Sequence, residues 1–185
     1  MNGPLPPTPG QTVGPFFGYA LPFDQDSELV PPGHSRAVRL HGRVIDGAGQ
    51  PVPDALLELW QLDETGAVVQ QQGSLRRDGW TFTGWGRAST DDSGTYSFTT
   101  VKPGAEPGKA AFFAVTVFAR GLPNRLFTRA YLPQDSAVLD ADPLLSSLPD
   151  QERSTLLVQA DEQGFRFDVV LQGEGETVFL RYPGH

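Results

Sequence analysis

Side chains that commonly hold metals or perform covalent catalysis are scarce in this chain. The absence of cysteine excludes disulfides, thiolate metal sites and a cysteine nucleophile. The three histidines, His34, His41 and His185, lack the close spacing that suggests a shared metal site. No serine lies in a GxSxG pattern. We therefore expect neither a histidine-based metal centre nor a nucleophilic hydrolase within this chain alone.

Arg129 is the first candidate for binding chemistry. In RLFTRAY, the two-residue period of a strand places Arg129 on the same face as Phe127 and Tyr131. A guanidinium among aromatic rings can bind an anion, pair with an acid across an interface, or extend into water. The residues alone leave all three alternatives open.

The composition predicts the kind of fold that must position these residues. A chain of 185 residues has the length of one domain, and its 12 Phe, three Trp and four Tyr supply large apolar surfaces for a core. The 21 Gly and 17 Pro are spread along the sequence, which favours short strands and tight turns over long helices. We expect an all-β fold, an antiparallel β-sandwich of about eight strands with little helix.

Apolar periodicity predicts the strands of the first part of this sandwich. AVRLHGRVID and ALLELWQLD are predicted to be strands joined by a turn rich in Gly and Pro. VVQQ is a candidate for a further short strand. GRASTDDSGTYSFTTV is predicted to be a hairpin that turns at residues 91–94.

The second part begins with an almost continuous apolar run. AAFFAVTVFARG is predicted to be a strand buried on both faces, and to form a central antiparallel pair with NRLFTRAYLP. Short helical turns are expected near Pro143 and Pro149. DEQG then turns the chain into FRFDVVLQG, which completes a second hairpin.

Residues 1–37 are predicted to be an extended N-terminal arm, followed by a domain of residues 38–185. The arm is rich in proline and has no sustained periodicity. Its apolar residues are too many for a freely solvated tail. They pack either against the arm's own domain or against a partner, and the sequence favours neither. They are Phe16, Phe17, Tyr19, Leu21 and Phe23.

The charge pattern and the N-terminus exclude several functional classes. The net charge is -8 and the longest basic cluster is Arg76-Arg77, so we expect no nucleic acid partner. The sequence contains neither a basic segment followed by a signal-like apolar run nor the ~20 apolar residues of a membrane span. The cytoplasm is the expected location.

LHGRVIDGAGQPVPDALLELWQLDETG resembles the intradiol dioxygenase family, whose signature runs from a Gly-x-Val strand through a Pro-containing turn to a Glu-x-Trp strand. The resemblance continues over nearly the whole domain, in GRASTDDSGTYSFTTVKPG, FARG with FTRAY, and FRFDVVLQGEGETVF. TPGQTVGPFF and QGEGETVF are similar to the α chains of heteromeric members. The resemblance implies a subunit of a ring-cleaving dioxygenase.

Members of this family hold Fe(III) with two tyrosines and two histidines, because phenolate is a hard donor for a hard ion. By resemblance, Val68, Tyr96, Phe112 and Ala114 occupy these four positions here, which leaves one candidate ligand. The resemblance therefore implies that a homologous β subunit holds the iron. We expect Tyr96 to be structural, since a half-buried strand tyrosine needs no metal.

The resemblance also implies roles at the active site of the β subunit, in an αβ pair that assembles into a larger oligomer. Thr12, Gly14 and Pro15 would line its substrate cavity, or would form a rigid interface clamp without touching substrate. Arg129 would attract or orient the carboxylate of an aromatic substrate, or would serve the interface.

Two rival readings remain. A stand-alone β-sandwich binding module of the transthyretin-like kind also uses Gly-x-Val strands and Pro turns, and it would be a monomer or homodimer. The apolar arm argues against it, because such an extension without a partner surface would be exposed. A homo-oligomeric dioxygenase with a rearranged iron site would require ligands that the sequence does not supply.

Overall fold

Two packed β-sheets form most of the regular secondary structure in the computed structural model, which describes residues 11–14, 17–72 and 76–182. The strands are β1 Val38–Ile45, β2 Leu56–Trp60, β3 Trp85–Ser89, β4 Thr95–Thr100, β5 Phe112–Phe118, β6 Leu126–Tyr131, β7 Gln159–Asp161, β8 Gly164–Arg166 and β9 Val169–Val170. The helical elements are α1 Phe17–Ala20, α2 Ser136–Ala141, a 3₁₀ turn Leu145–Ser147 and α3 Asp150–Ser154. The all-β prediction is confirmed.

The two sheets differ in their strand directions. The four-stranded sheet has the order β3-β2-β5-β6, and all its neighbours are antiparallel. The five-stranded sheet has the order β4-β1-β8-β7, with β9 also beside β1. Here β1 is antiparallel to β4 but parallel to β8 and β9. The second sheet is therefore mixed, a detail that alternating periodicity does not predict.

The core lies between the sheets because the strands alternate between buried and partly exposed residues. In β5, Phe113, Val115 and Val117 point into the core, while Phe112 and Ala114 lie on the outer face. The prediction that this strand is buried on both faces is therefore wrong. Its antiparallel pairing with β6 is confirmed, but β6 lies at the edge of the sheet.

A second, smaller apolar cluster covers part of the outer face of the four-stranded sheet. It is formed where α2, the 3₁₀ turn and α3 fold over the end of β6. Its buried members are Ala110, Tyr131, Leu139, Leu145 and Leu156. Helical turns near Pro143 and Pro149 were expected and are confirmed, whereas α2 was not predicted.

The turn at residues 91–94 connects the two sheets. The Gly94 N–H donates to the Asp91 carbonyl at 2.8 Å, and Gly94 has a φ of +74°, which favours glycine. However, β3 pairs with β2, and β4 pairs with β1 in the other sheet. The predicted hairpin is therefore wrong, because local turn chemistry specifies a reversal of the chain but not which strands pair.

The remaining local predictions have mixed outcomes. The antiparallel pair β7 and β8 confirms the second hairpin. VVQQ forms no strand and lies in a loop. Within the part of the chain that the structure describes, no helix is long and apolar enough to cross a membrane.

The stretch of the arm from α1 onward follows the edge of the sandwich. Leu29 is buried, and its N–H donates to the Thr99 carbonyl at 2.8 Å. The ring of Phe23 stacks on Trp85, with the ring centroids 6.2 Å apart. Tyr19, in contrast, is 86% exposed. Some apolar residues of the arm therefore pack on its own domain, while others remain available to a partner; Phe16 lies outside the described residues.

Candidate functional site

A cation lies over an aromatic ring on the outer face of the four-stranded sheet. In the β5–β6 register, Arg129 is opposite Ala114 and Tyr131 is opposite Phe112. Cζ of Arg129 is 4.3 Å from the centroid of the Phe112 ring, within the range of a cation–π contact. Arg129 therefore rests on an apolar ring, and its polar neighbours in the part of the chain that the structure describes are the hydroxyls of Tyr131 and Tyr182.

Tyr131 fixes the guanidinium from one side. Nη1 of Arg129 donates to the Tyr131 hydroxyl at 3.0 Å, and that hydroxyl donates to Oδ1 of Asp142 at 3.1 Å. Burial raises the pKa of Tyr131 to about 12, although Arg129 opposes the shift. The phenol is thus neutral near pH 7, and it can accept one hydrogen bond while donating another.

Asp142 is the buried end of this chain of hydrogen bonds. It is 1% exposed and immediately follows α2. Its carboxylate accepts backbone N–H bonds from Ala110 at 3.0 Å, Leu144 at 3.0 Å and Leu145 at 3.2 Å. These donors compensate the cost of burying the carboxylate. A continuous path of hydrogen bonds therefore leads from a buried anion to a half-buried cation.

The four positions assigned to iron ligands are not all brought together. Phe112 and Ala114 lie next to each other on the outer face of β5. Val68 lies in the loop after β2 and is 54% exposed. Tyr96 belongs to β4, in the other sheet, and its ring lies in the main core.

The hydroxyl group of Tyr96 already has a partner. It donates to the Phe167 carbonyl at 2.5 Å, and burial raises the pKa of Tyr96 far above its ordinary value of 10.0. Ionising such a phenol to make a metal ligand would cost both the burial energy and this hydrogen bond. The structure places Tyr96 as a packing residue.

The donor set at these positions does not fit a ferric ion. Phenyl, methyl and isopropyl groups have no atoms that can coordinate Fe(III), and the single phenol is in the opposite sheet. Among the described residues, no group of three or more His, Cys, Asp or Glu side chains is arranged to hold a metal. The group near Phe112 and Ala114 that can do chemistry is the guanidinium of Arg129, which can bind an anion.

Residues 11–13 of the arm line a cleft that also includes Leu126 and Phe127 of β6. Thr12 lines a cleft of about 860 Å³ together with Phe127, Leu180 and Tyr182. Gly14 would have no atom within 4 Å of an added Cβ, so open space surrounds it. Pro15 lies outside the described residues. Thr12 and Phe127 thus line the same cleft, and Arg129 is not among its lining residues.

Sequence reasoning missed Asp142 as the partner of Tyr131. Its local signal is an aspartate directly before a proline, which is typical of a turn or helix start. That signal explains the bonds to Leu144 and Leu145, but it contains no information about the contact with Tyr131. Only the packing of the segment after β6 onto the sheet brings these two side chains together.

Comparison with family models and curated sequences gives consistent matches. A family model described as dioxygenase matches residues 12–173. The chain is 37% identical to the protocatechuate 3,4-dioxygenase alpha chain of Burkholderia cepacia, over 95% of this chain and 98% of that protein. It is 34% identical to the alpha chain from Pseudomonas putida, over 96% and 98%. The Burkholderia cepacia beta chain is 33% identical, over 76% of this chain and 66% of that protein.

Solved structures agree on the fold. The dioxygenase domain of a carbohydrate-binding fusion protein from Streptomyces sp. SirexAA-E is 26% identical with a TM-score of 0.57, covering 91% of this chain and 99% of that one. An intradiol ring-cleavage dioxygenase from Tetranychus urticae is 15% identical with a TM-score of 0.59, covering 86% and 87%. At this identity, the second match supports the architecture alone.

Proposed function

The chain belongs to the intradiol dioxygenase family, and on that premise we propose that it is the iron-free α subunit of a protocatechuate 3,4-dioxygenase. The proposal rests on two observations taken together, the similarity to alpha chains and the loss of the iron ligands. The chain resembles named alpha chains over almost their full length, yet three of its four expected ligand positions are Val68, Phe112 and Ala114. A chain that has kept the fold but lacks these donors fits a supporting subunit.

The family uses Fe(III), and we assign that ion to a homologous β subunit. The assembled enzyme would cleave protocatechuate with O₂ to 3-carboxy-cis,cis-muconate, a step of aromatic catabolism. The isolated α chain would be inactive. The naming of alpha and beta chains among its relatives supports an αβ assembly. A cytoplasmic location and the division into an arm of residues 1–37 and a domain of residues 38–185 belong to the same proposal.

The arm would complete the substrate cavity of the β subunit. Thr12 and Gly14 are both exposed, and Gly14 has open space on its Cα, so a partner or a flat ring can approach the backbone closely. Pro15 would restrict the segment to one shape. The alternative is that these residues clamp the interface without contacting substrate.

Arg129 would orient the carboxylate of protocatechuate. Its support by Phe112 and its bonds to Tyr131 and Tyr182 use only part of the five N–H donors of a guanidinium. A carboxylate can therefore still be bound through two parallel bonds. In a protein with a net charge of -8, a fixed cation also raises the local concentration of an anionic substrate.

Oxygen uptake with protocatechuate tests the proposal. Three samples should be assayed: a homologous β subunit from the same organism alone, this chain alone, and the two chains mixed. We expect full activity only in the mixture and none from the α chain. Activity of the α chain by itself would contradict the proposal. A chain that forms no complex with the β subunit would instead favour the stand-alone binding module.

A further inference from the structure

Arg129 needs a rigid setting if it is to read the position of a carboxylate. An arginine side chain has many rotamers, and an unsupported guanidinium loses that conformational entropy when it binds. Here the Phe112 ring supports one face of the guanidinium at 4.3 Å, and the Tyr131 hydroxyl accepts from Nη1 at 3.0 Å. Part of that entropy is therefore already lost before a ligand arrives, which favours binding.

The direction of the hydrogen bonds explains why Tyr131 serves as an acceptor. Its hydroxyl proton is given to Asp142 at 3.1 Å, so its lone pairs are left for the guanidinium. A buried carboxylate polarises the hydroxyl and strengthens the second bond in the chain. The polarised hydroxyl of Tyr131 thereby becomes a stronger acceptor for Arg129. The acid itself stays away from the surface, where it would repel an anionic substrate.

Asp142 cannot rotate away from this arrangement. Its two oxygens accept N–H groups from two separate segments, Ala110 just before β5 and residues 144–145 after α2. Ala110 thus ties the carboxylate to the start of β5, which carries Phe112, and the Tyr131 hydroxyl ties it to β6, which carries Arg129. The chain of contacts forms one rigid unit rather than a string of independent bonds.

We propose that Tyr131 and Asp142 are positioning residues that hold Arg129 in the geometry required to select a carboxylated catechol. This inference rests on the proposed function, because it links the hydrogen bonds from Asp142 through Tyr131 to Arg129 with the substrate of the αβ enzyme. Neither residue touches the substrate. Their effect reaches it through the orientation of the guanidinium.

The test is a double-substitution cycle in the assembled αβ enzyme. Tyr131→Phe, Arg129→Ala and the double variant are compared by steady-state oxygen uptake with protocatechuate and with catechol, which lacks the carboxylate. Tyr131→Phe should raise KM for protocatechuate roughly fivefold, leave kcat nearly unchanged, and leave KM for catechol unchanged. The double variant should resemble Arg129→Ala, because residues that act through one another are not additive.

Tyr96→Phe is the matched control. It removes a buried hydroxyl group from the other sheet, so a general loss of stability would appear there as well. Asp142→Asn is the second variant if Tyr131→Phe assembles poorly. It keeps an oxygen for the hydroxyl but removes the charge, and it should also raise KM for protocatechuate alone.

Additive effects of Tyr131→Phe and Arg129→Ala, or equal losses with both substrates, would overturn the positioning role. An active complex in which Tyr131→Phe behaves like Tyr96→Phe would do the same, while leaving the proposed function intact. Failure of the unsubstituted chain to assemble with the β subunit would instead contradict the proposed function itself.

Discussion

Two buried tyrosines, one in each sheet, have hydroxyl groups with very different partners. Tyr96 is 1% exposed and donates to the main-chain carbonyl of Phe167. Tyr131 is fully buried, donates to Asp142 and accepts from Arg129. The first path of hydrogen bonds ends inside the core, whereas the second continues to a half-buried cation on the outer face of the four-stranded sheet.

The difference shows that burial of a tyrosine does not by itself distinguish packing from function. Both rings contribute similar apolar area, and burial raises the pKa of both hydroxyl groups. What separates them is the partner beyond the hydroxyl. A carbonyl oxygen only satisfies the donor, while a carboxylate on one side and a guanidinium on the other connect Tyr131 to a half-buried cation.

Removing Asp142 should have the largest effect on the Tyr131 side. Asp142→Ala leaves three backbone N–H groups and the Tyr131 hydroxyl buried without their acceptor. We expect the free energy of unfolding to fall by about 4 kcal/mol, measured by urea denaturation. Asp140→Ala is the control, because the carboxylate of Asp140 is exposed and pairs with Arg153 at the surface. Equal losses of unfolding free energy in the two variants would show that Asp142 and its hydrogen bonds are not buried as described.

Gly42→Ala should break the Tyr96 side. An added Cβ would lie 1.9 Å from the Phe167 carbonyl oxygen, the acceptor of the Tyr96 hydroxyl. Because the obstacle is main chain, β1 must shift. We expect the free energy of unfolding to fall by about 3 kcal/mol, measured by thermal or urea denaturation. Gly33→Ala provides the control, since no atom lies within 4 Å of its Cβ position. If both variants melted at the same temperature, the close approach of the two segments would be refuted.

Alkaline pH should separate the two tyrosines. Unfolded tyrosine ionises near pH 10.0, whereas folded Tyr131 keeps its proton until about pH 12 and Tyr96 until a still higher pH. The unfolded state therefore binds fewer protons above pH 10, and stability falls with rising pH by about 1.4 kcal/mol per pH unit for each tyrosine. Tyr131→Phe should remove its share of this slope between pH 10 and 12, measured by denaturation at each pH.

The contribution of Tyr131 should end above pH 12, while that of Tyr96 should continue. Because the chain has four tyrosines, tyrosinate absorbance is compared between the unsubstituted chain, Tyr96→Phe and Tyr131→Phe, which assigns the two ionisations. If Tyr96 ionised before Tyr131, its burial in the main core would be contradicted.

The smallest expected difference is between the two Phe variants in stability. Tyr96→Phe and Tyr131→Phe each remove one buried hydroxyl, and each should lower the free energy of unfolding by about 1 kcal/mol. Equal losses in urea denaturation would sharpen the comparison. A difference between the two variants in KM for protocatechuate would then have to come from the partners of the hydroxyl groups and not from stability. A loss several times larger in Tyr131→Phe would assign it a mainly structural role.

Much of the fold follows from local patterns in the sequence. Apolar patterns predict β1, β2, β5 and β6. Alternation marks β1, whereas the almost continuous apolar run of β5 predicts the strand but not its partly exposed outer face. Pairing between strands is harder to predict. The Asp91–Gly94 turn has the chemistry of a hairpin, yet its two strands enter different sheets, β3 beside β2 and β4 beside β1.

The candidate site was predictable only in part. The strand period places Arg129 on the same face as Phe127 and Tyr131, as the structure shows. The support from Phe112 depends on the β5–β6 register, and the bond to Asp142 depends on how the segment after β6 folds back. Both contacts depend on the tertiary structure, because Phe112 is far from Arg129 in the sequence and Asp142 is far from Tyr131.

The measurement that tests the central claim most directly is the iron content of this chain, affinity-purified from its own cells, together with the identity of any chain that accompanies it. We predict iron only in samples that also contain a homologous β chain with the missing tyrosine and a His-x-His pair. Stoichiometric iron bound to this chain alone would contradict the account, because it would require ligands other than those at Val68, Tyr96, Phe112 and Ala114.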